Sequence, residues 1–590
     1  MKSDRTQVFP REALRTADSG FRFQVSAKIV ILFAAALIIA LPFIFRRHET
    51  TMPSNALDLV IVTPQNEAIR YEFGRAFSKW HEAQFGKPVR VDWRAIGGTT
   101  EISRYLCAEF VNAARAWWKG QGFEWPAGAS EKLLDGKFAA TNNDAMSQLW
   151  KKFRDTDDPK QFSARADLFF GGGEYDHSIL ARQGLTVAPW PAGREPANLF
   201  FAANGTPLIP EKIGGEVWRT PTLFGCTASS FGICYNLDRL RDLGVTNQPA
   251  RWDDLGDPVY FRQIGISDPT KSGSIAKAFE LIVHQKCQQA VHAAGFTETQ
   301  IDAFEKSPSN APAAYQKAVE DGWHSGLALL QRIGANARYF TDSASKVPVD
   351  VGMGNCAAGL CIDFYGRFEA QHASAPDGSA RMAFVVPVGG SSATADPVSL
   401  LRGAEHRELA VRFIEFALSE DGQKIWCYKP GTPGGPEKYA LRRVPIRRDF
   451  FPSDDPAIKA KHLEYLKYSA DNLADPQIDP YLIAGNFHYH AGWTGKYFGL
   501  LRDFVKVMCI DSSAELQNAR SLATRLPEPK RSQLMTDLFR YPPNPLDGTP
   551  CGNNYLLARD REDRMETLRI WTEYYRAHYR AVAAATAAAR

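Results

Sequence analysis

The chain has 590 residues, of which 44% are hydrophobic and 23% are charged, and its formal net charge is +4. The ordinary apolar fraction and the small net charge exclude an intrinsically disordered protein. A charge this weak gives no indication of nucleic-acid binding, and a chain this long is expected to form at least two packed units.

The basic residues concentrate at the amino terminus. Residues 1–28 hold six Lys or Arg against three acidic residues, and an apolar run of 17 residues follows at 29–45, closed by Arg46 and Arg47. That run spans roughly 25 Å as a helix, within the range of membrane spans. It lacks the small residues of a cleavage site, which favours an uncleaved signal-anchor over a cleavable signal peptide. The basic flank predicts a cytoplasmic tail at 1–28 and export of the rest.

Beyond the anchor, strand and helix patterns alternate. The apolar run LDLVIV (57–62), the alternating stretch at 89–96 and ADLFF (166–170) predict strands, and helical periodicity follows each of them, near 69–80, from 101 and at 175–183. Residues 111–160 are expected to form an irregular insertion. Strand, turn and helix repeated in this way predict an α/β fold with a doubly wound, mostly parallel sheet.

The second half continues the alternation. Strands are predicted at 221–224 and 231–235, separated by residues 225–230, and helices up to about 287 and near 311–333. Further strand patterns at 357–364 and 381–388 precede an amphipathic helix at 408–418. From about 450 the pattern becomes aromatic-rich helices, the last of which presents one apolar face: Leu568, Trp571, Tyr575, Tyr579 and Val582.

These segments together resemble a known family. The succession LDLVIVTPQNEAIRYEFGRAF, RAIGGTTEISRYL, ADLFFGGGEYDHSILARQGL, FGICYNLDRL, SDPTKSGSIAKAFE, GLCIDFYGRFEA and ELAVRFIEFALSEDGQKIW is similar to the extracellular (periplasmic) solute-binding proteins of ABC transporters. The resemblance covers roughly residues 57–440. It is strongest to the group that includes ferric-ion, phosphonate and sugar-phosphate binding proteins.

The resemblance implies the type II periplasmic-binding-protein fold, a two-lobed α/β clamshell. On this analogy, lobe 1 comprises 57–224 and 387–450, and lobe 2 comprises 232–385. The segments at 221–236 and near Pro387 would cross between the lobes. Residues 451–590 form a helical C-terminal extension, expected to cap lobe 1 or to offer a docking surface, with a terminal AVAAATAAAR that is expected to fray.

The implied function is the substrate-binding component of an ABC importer. Such a protein captures a small solute by clamshell closure and delivers it to the permease subunits in the inner membrane. The resemblance implies neither a cofactor nor catalysis. The residues agree: Thr270 replaces the glycine that a nucleotide P-loop needs before Lys271, and residues 225–229 lack the central serine of a nucleophile elbow. A sensing or signalling solute-binding domain remains an alternative.

Three predicted strand-to-helix junctions have the form of an anion site. They are residues 97–100, 171–173 and 270–274, and each offers free backbone N–H groups, a helix dipole and small residues. This indicates a phosphoryl- or carboxyl-bearing solute, although ordinary N-caps and tight turns look the same. The candidate ligand-binding residues in these junctions and in the crossing segment are Thr99, Thr100, Gly172, Gly173, Thr227, Ser272, Gly273 and Ser274.

Asp363 and Tyr365 complete the candidate site, at the end of a lobe 2 strand. A phenol and a carboxylate could hydrogen-bond a polar ligand or hold a cation, and packing is the alternative role for Tyr365. The ferric-binding relatives often use two adjacent tyrosines. Gly366 follows Tyr365 here, which puts iron chelation in doubt, so a ferric-ion receptor is the alternative function.

Histidines and cysteines offer a possible metal pair and possible disulfide bridges. His488 and His490 would share one face of an extended segment, but a third metal ligand is not identifiable and an accidental surface pair is the expected case. The nine cysteines contain no Cys-x-x-Cys pair. Local bridges between Cys356 and Cys361, or between Cys226 and Cys234, are possible, although burial as small apolar residues is favoured.

Overall fold

The computed structural model describes residues 55–141, 143–542 and 564–588. The predicted cytoplasmic tail at 1–28 and the predicted signal-anchor at 29–45 lie outside these residues. Within the described part of the chain, none of the helices combines the length and the apolar character that crossing a bilayer requires.

The strands of the described residues are numbered in chain order. They are β1 Leu57–Val62, β2 Val89–Arg94, β3 Leu168–Phe170, β4 Thr186–Val187, β5 Lys212–Ile213, β6 Glu216–Val217, β7 Arg219–Thr220, β8 Leu223–Ser229, β9 Phe231–Asn236, β10 Ile264–Ser267, β11 Ala337–Thr341, β12 Ala358–Ile362, β13 Met382–Val385, β14 Thr394–Leu401 and β15 Val444–Pro445.

The α-helices of the described residues are numbered in the same way. They are α1 Glu67–Phe85, α2 Thr99–Gly120, α3 Ala129–Leu134, α4 Ala145–Asp155, α5 Glu174–Arg182, α6 Ala197–Phe200, α7 Leu237–Asp242, α8 Gly273–Ala293, α9 Glu298–Lys306, α10 Ala313–Ala335, α11 Lys346–Gly352, α12 Asp363–His372, α13 Arg407–Leu418, α14 Glu420–Cys427, α15 Pro456–Tyr468, α16 Pro480–Asn486, α17 Phe498–Val505, α18 Ser513–Ala523, α19 Lys530–Asp537 and α20 Arg564–Ala588.

Two mixed sheets organise the chain. In the first, the strand order is β15-β8-β14-β3-β1-β2, with β4 beside β14 and β7 beside β8. Strand β1 is parallel to β2 and β3, whereas β14 is antiparallel to β3 and β8. The second sheet has the order β11-β10-β12-β9-β13. Strand β10 is parallel to β11 and β12, whereas β9 is antiparallel to β12 and β13. The two-lobed α/β arrangement is confirmed, but the prediction of a mostly parallel sheet is wrong for the strands that connect the lobes.

Two chain crossings connect the sheets. Strand β8 of the first sheet passes through Ser230 directly into β9 of the second, and every residue of both strands is buried. The chain returns from β13 to β14. The prediction that the first of these strands ends at Phe224 is therefore wrong, because β8 continues to Ser229. These residues are small because the crossing is tightly packed: a Cβ placed on Gly225 would lie 2.6 Å from Cδ1 of Ile446.

The insertion at 111–160 is largely helical rather than irregular. Helix α2 continues to Gly120, and α3 and α4 follow. Their apolar faces share a core with the first sheet, to which Phe110, Leu149 and Phe153 contribute fully buried side chains. The sequence obscured these helices because short amphipathic segments separated by polar turns lack a long periodic signal.

The C-terminal extension divides between the two lobes. Helices α15 and α16 pack on the core of the first sheet through residues such as Tyr465 and Ile483. The later helices pack instead on the second-sheet core, where α20 buries Trp571, Tyr575 and Tyr579. The predicted apolar face of the last helix is confirmed, whereas capping of lobe 1 holds only for the first part. The expected fraying is wrong as far as residue 588, because Val582, Ala583 and Thr586 are buried.

The described cysteines form no disulfide. All eight are free, and only Cys107 is not buried. Neither Cys356 with Cys361 nor Cys226 with Cys234 is bridged. These thiols fill space in the two cores as small apolar groups.

Candidate functional site

The three predicted junctions are helix starts. Thr99 and Thr100 are the first residues of α2, with Gly98 as its N-cap. Gly173 is the N-cap of α5, and Ser272 is the N-cap of α8, where its Oγ accepts from the backbone N–H of Ile275 at 3.3 Å. Each helix start therefore presents backbone N–H groups and the positive end of a helix dipole.

The structure brings these helix starts together. A Cβ placed on Gly172, where φ is +94°, would lie 2.6 Å from Cγ2 of Thr99, so the two junctions of the first lobe are in contact. A Cβ placed on Gly98 would lie 3.0 Å from the carbonyl oxygen of Lys271 in the second lobe. Glycine is needed at both positions because a side chain would push the junctions apart.

Arg502, on α17 of the extension, enters the same place. Its Nη2 donates to Oγ1 of Thr100 at 3.2 Å and lies 3.7 Å from the position that a Cβ of Gly273 would take. The residue is only 8% exposed, and its Nε has no hydrogen-bond partner. Sequence reasoning missed Arg502, because FGLLRDFV reads as an ordinary amphipathic helix.

Two carboxyl groups lie near this cation. Asp176 accepts from Oγ of Ser103 at 3.3 Å, and one carboxylate oxygen of Glu101 is buried without a partner. Burial raises the pKa of Asp176, although the charge of Arg502 works in the opposite direction. Arg502, Asp176 and Glu101 thus form a group of mixed charge at the helix starts.

The hydroxyl groups of the second lobe are only partly free. Oγ of Ser272 lies 3.1 Å from Oγ of Ser274, and Ser272 also caps α8. Ser274 is half-buried, and so is Thr100. Ser274 and Thr100 are thus the hydroxyls best placed to donate to a bound anion.

Asp363 and Tyr365 lie in a different cluster, at the first turn of α12. Asp363 is 1% exposed, and its carboxylate accepts from the N–H of Phe364 at 2.8 Å and from Arg367 at 3.1 Å. It is thus occupied within its own helix. Tyr365 lies near Asn66, the N-cap of α1. Burial raises the pKa of the Tyr365 phenol, with Arg443 and Asn66 working against the rise.

A second buried arginine lies beside Tyr365. Nη2 of Arg443 donates to Asp396 at 2.6 Å and to Ser229 at 2.8 Å, and the guanidinium lies 4.2 Å from the ring centroid of Phe364. Its Nε and Nη1 have no hydrogen-bond partner although the residue is 2% exposed. Burial raises the pKa of Asp396, with Arg443 as the main opposing influence. This pair links Ser229 in β8 to Asp396 in β14, and no pattern in the sequence indicates it.

Thr227 does not join either cluster. It is fully buried in β8, and its hydroxyl donates to the carbonyl oxygen of Val444 at 2.7 Å. The expectation that it donates to a ligand is therefore wrong. The reason is that residues 225–229 continue the paired strand β8 beyond Phe224.

A separate group has the composition of a metal site. Asp302, His488 and His490 each place one ligand atom within 4.8 Å of the other two. The third residue of this group, Asp302, lies far away along the chain, so the sequence pattern did not reveal it. None of these residues belongs to the helix-start cluster.

Residues 200–459 match the family model described as bacterial extracellular solute-binding protein. This confirms the resemblance that the sequence motifs indicated. An uncharacterized protein of Haemophilus influenzae is 24% identical over 201 residues, which are 34% of this chain and 45% of that protein. The chain thus spans less than half the length of this curated relative.

Solved structures with some similarity are also solute-binding proteins. AfuA of Actinobacillus pleuropneumoniae, described with fructose-6-phosphate bound, is 18% identical, with 62% of this chain and 81% of that chain covered and a TM-score of 0.40. Iron-bound HitA of Pseudomonas aeruginosa is 15% identical, with 76% and 99% covered and a TM-score of 0.41. PotD of Streptococcus pneumoniae, a spermidine/putrescine protein, is 14% identical, with 76% and 100% covered and a TM-score of 0.39. Likenesses this distant assign no ligand to the chain.

Proposed function

We propose that this chain, which resembles the bacterial extracellular solute-binding proteins over residues 200–459, is the solute-binding component of an ABC importer. It would capture a small solute between its lobes and deliver it to the permease subunits. The two crossings, β8 to β9 and β13 to β14, support this role, because a pair of short connections allows lobes to close as rigid bodies.

We propose further that the solute is an anion that carries a phosphoryl or carboxyl group. The single observation behind this is the convergence of three helix starts around Arg502. Backbone N–H groups at helix starts and a guanidinium both favour oxyanions, and Arg502 already has one buried donor without a partner.

Binding and release would then follow from the geometry without covalent chemistry. The first-lobe helix starts, at Thr99 and Gly173, would meet the anion first. Closure would add the N–H groups and the Ser274 hydroxyl at the start of α8. Because the closed state gains these bonds only when the anion is present, the solute shifts the lobes towards closure.

The location belongs to the same proposal. We place residues 55–590 on the extracytoplasmic side of the membrane, tethered by the apolar run at 29–45. Membrane fractionation tests the tether, and full-length chain in the soluble fraction would contradict it.

The ligand class is tested by a thermal-shift panel on the purified chain. The anionic arm contains inorganic phosphate, sugar phosphates, phosphonates and carboxylates, and the other arms contain Fe(III) or spermidine. A ligand at about 100 times its Kd should add roughly 2.7 kcal/mol to the free energy of unfolding. A shift with at least one anion supports the proposal, whereas shifts with Fe(III) or spermidine alone contradict it.

The role of Arg502 is tested by calorimetry on R502Q with the anion that stabilises most. A charged hydrogen bond contributes about 1.5–3 kcal/mol, so the Kd should rise about 10- to 100-fold. R531Q is the matched control, because Arg531 lies elsewhere in the extension, partly exposed and paired with Glu528 at 2.8 Å. Equal affinities of R502Q and the wild type would remove Arg502 from the site.

A further inference from the structure

A second polar cluster lies where a segment of the extension crosses α9. This segment, residues 487–492, is called the strap. On α9, Glu298, Asp302 and Glu305 are spaced four and three residues apart, so they share one helical face. The strap places His488 and His490 against that face.

The distances suit a metal ion. One ligand atom from each of Asp302, His488 and His490 lies within 4.8 Å of the others. Nε2 of His488 is 4.0 Å from Oδ1 of Asp302. His490 is fully buried, and its ring nitrogens lie 2.9 Å from a carboxylate oxygen of Glu298 and 3.3 Å from one of Glu305.

The strap is held in place by bonds of its own. The backbone N–H of His490 donates to Nε2 of His284 at 2.8 Å, and that of Gly492 donates to Glu305 at 2.8 Å. The ring of His490 also lies parallel to the ring of His284, with centroids 6.0 Å apart. The imidazole of His490 is therefore oriented before any ion arrives, which lowers the cost of binding.

We propose that Asp302, His488 and His490 form a binding site for one divalent transition-metal ion. A donor set of two imidazoles and one carboxylate binds Zn²⁺, Co²⁺ and Ni²⁺ in preference to Mg²⁺ or Ca²⁺. On binding, one ring nitrogen of His490 exchanges its carboxylate partner for the ion, and the other nitrogen keeps its carboxylate partner from α9. That arrangement fixes the orientation of a metal-binding histidine.

The ion would fasten a segment that contacts both lobes. A Cβ placed on Gly215, in the β5–β6 hairpin, would lie 1.9 Å from the carbonyl oxygen of Tyr489, so the hairpin touches the strap directly. On the other side, Nζ of Lys277 in α8 lies 3.7 Å from the ring centroid of Tyr489. An ion on α9 therefore holds the strap where the hairpin and α8 meet it.

The test uses the full chain, stripped with EDTA and titrated with Zn²⁺ or Co²⁺ alone. We expect one ion per chain by native mass spectrometry, a rise in Tm, and a Co²⁺ absorption spectrum of low coordination number. H488A and D302N should each weaken the Kd at least about tenfold. Both residues are accessible to solvent, so these variants keep the fold, which circular dichroism verifies.

H372A is the matched control, because His372 is an exposed histidine on α12 with only a backbone partner. It should bind the ions as the wild type does. The absence of stoichiometric binding to the stripped chain would overturn the proposal, and so would equal affinities for H488A, D302N and H372A. The metal-site proposal is independent of the anion-site proposal, because the two sites share no residue.

Discussion

At the scale of single residues, His177 links the glycine junction to the first sheet. Its Nε2 donates to the carbonyl oxygen of Gly171 at 3.0 Å, and its Nδ1 accepts from Ser399 Oγ at 2.8 Å. The ring stacks on Phe169 with centroids 4.0 Å apart. Burial lowers the pKa of His177 to about 4, so the imidazole is neutral at physiological pH.

This residue predicts a pH dependence of stability. Between pH 6.5 and 4 the unfolded chain binds a proton at His177 that the folded chain does not, so stability falls as the pH falls. The loss from this group is about 3 kcal/mol. Denaturant unfolding at several pH values measures the free energy of unfolding. From pH 6.5 to pH 4 this free energy should fall less in H177Q than in the wild type, by up to about 3 kcal/mol. H372Q should match the wild type, and an unchanged drop in H177Q would refute the assignment.

Some residues of the candidate site could be predicted from the sequence and others could not. The starts at Thr99, Gly173 and Ser272 could be predicted, because a helix start is a local property of glycine and hydroxyl residues. Arg502 and Arg443 could not, because Thr100 lies 402 positions from Arg502, and Ser229 lies 214 positions from Arg443. Thr227 was misassigned for a related reason: its burial depends on strand pairing with β15.

At the scale of elements, α20 is fixed by its aromatic face. Trp571 is fully buried, and its ring centroid lies 5.5 Å from that of Phe504 on α17. Tyr579 adds hydrogen bonds to Gln331 at 2.9 Å and to the carbonyl oxygen of Met508 at 3.1 Å. The helix therefore holds α17, and with it Arg502, against the second lobe.

Truncating this face should therefore be costly. W571A should lower the free energy of unfolding by about 3–5 kcal/mol, the range for removing a large core side chain. M565A is the control on the same helix, because Met565 is 76% exposed, and its effect should stay within about 0.5 kcal/mol. Urea denaturation measures both, and similar losses in the two variants would contradict the packing described.

Helices were predicted correctly where the helical periodicity was long, and strands where the run of residues was apolar. Strand β1 and the helices α1 and α13 follow such patterns closely. Strand β8 was recognised only at its start, because its small residues give no apolar alternation. Strand β14 was missed for a similar reason, since TADPVSLL contains a proline and several polar residues.

At the scale of the whole molecule, the division of the C-terminal extension between the two lobes could not be predicted from the sequence. An amphipathic helix shows that it packs but not on what, so Tyr465 and Tyr575 gave the same signal while packing on different lobes. The resemblance to solute-binding proteins supplied the two lobes and the crossings. It did not supply Arg502, because this residue lies outside the matching residues 200–459.

The lobes of the described structure are also joined by a buried ionic group. Lys277 of α8 lies 3.0 Å from Glu216 on the β5–β6 hairpin and 2.9 Å from Glu280. Burial raises the pKa of Glu216, although Lys277 works against the rise. The two lobes thus meet at the ionic contact of Lys277 as well as at the helix starts.

The most direct test of the central claim is a crystal structure of the chain with the anion that stabilises it most. The account predicts that the anion accepts bonds from backbone N–H groups at the start of α2 or α8 and from the guanidinium of Arg502. An anion bound beside Tyr365 and Arg443 instead, with Arg502 still contacting only Thr100, would contradict it.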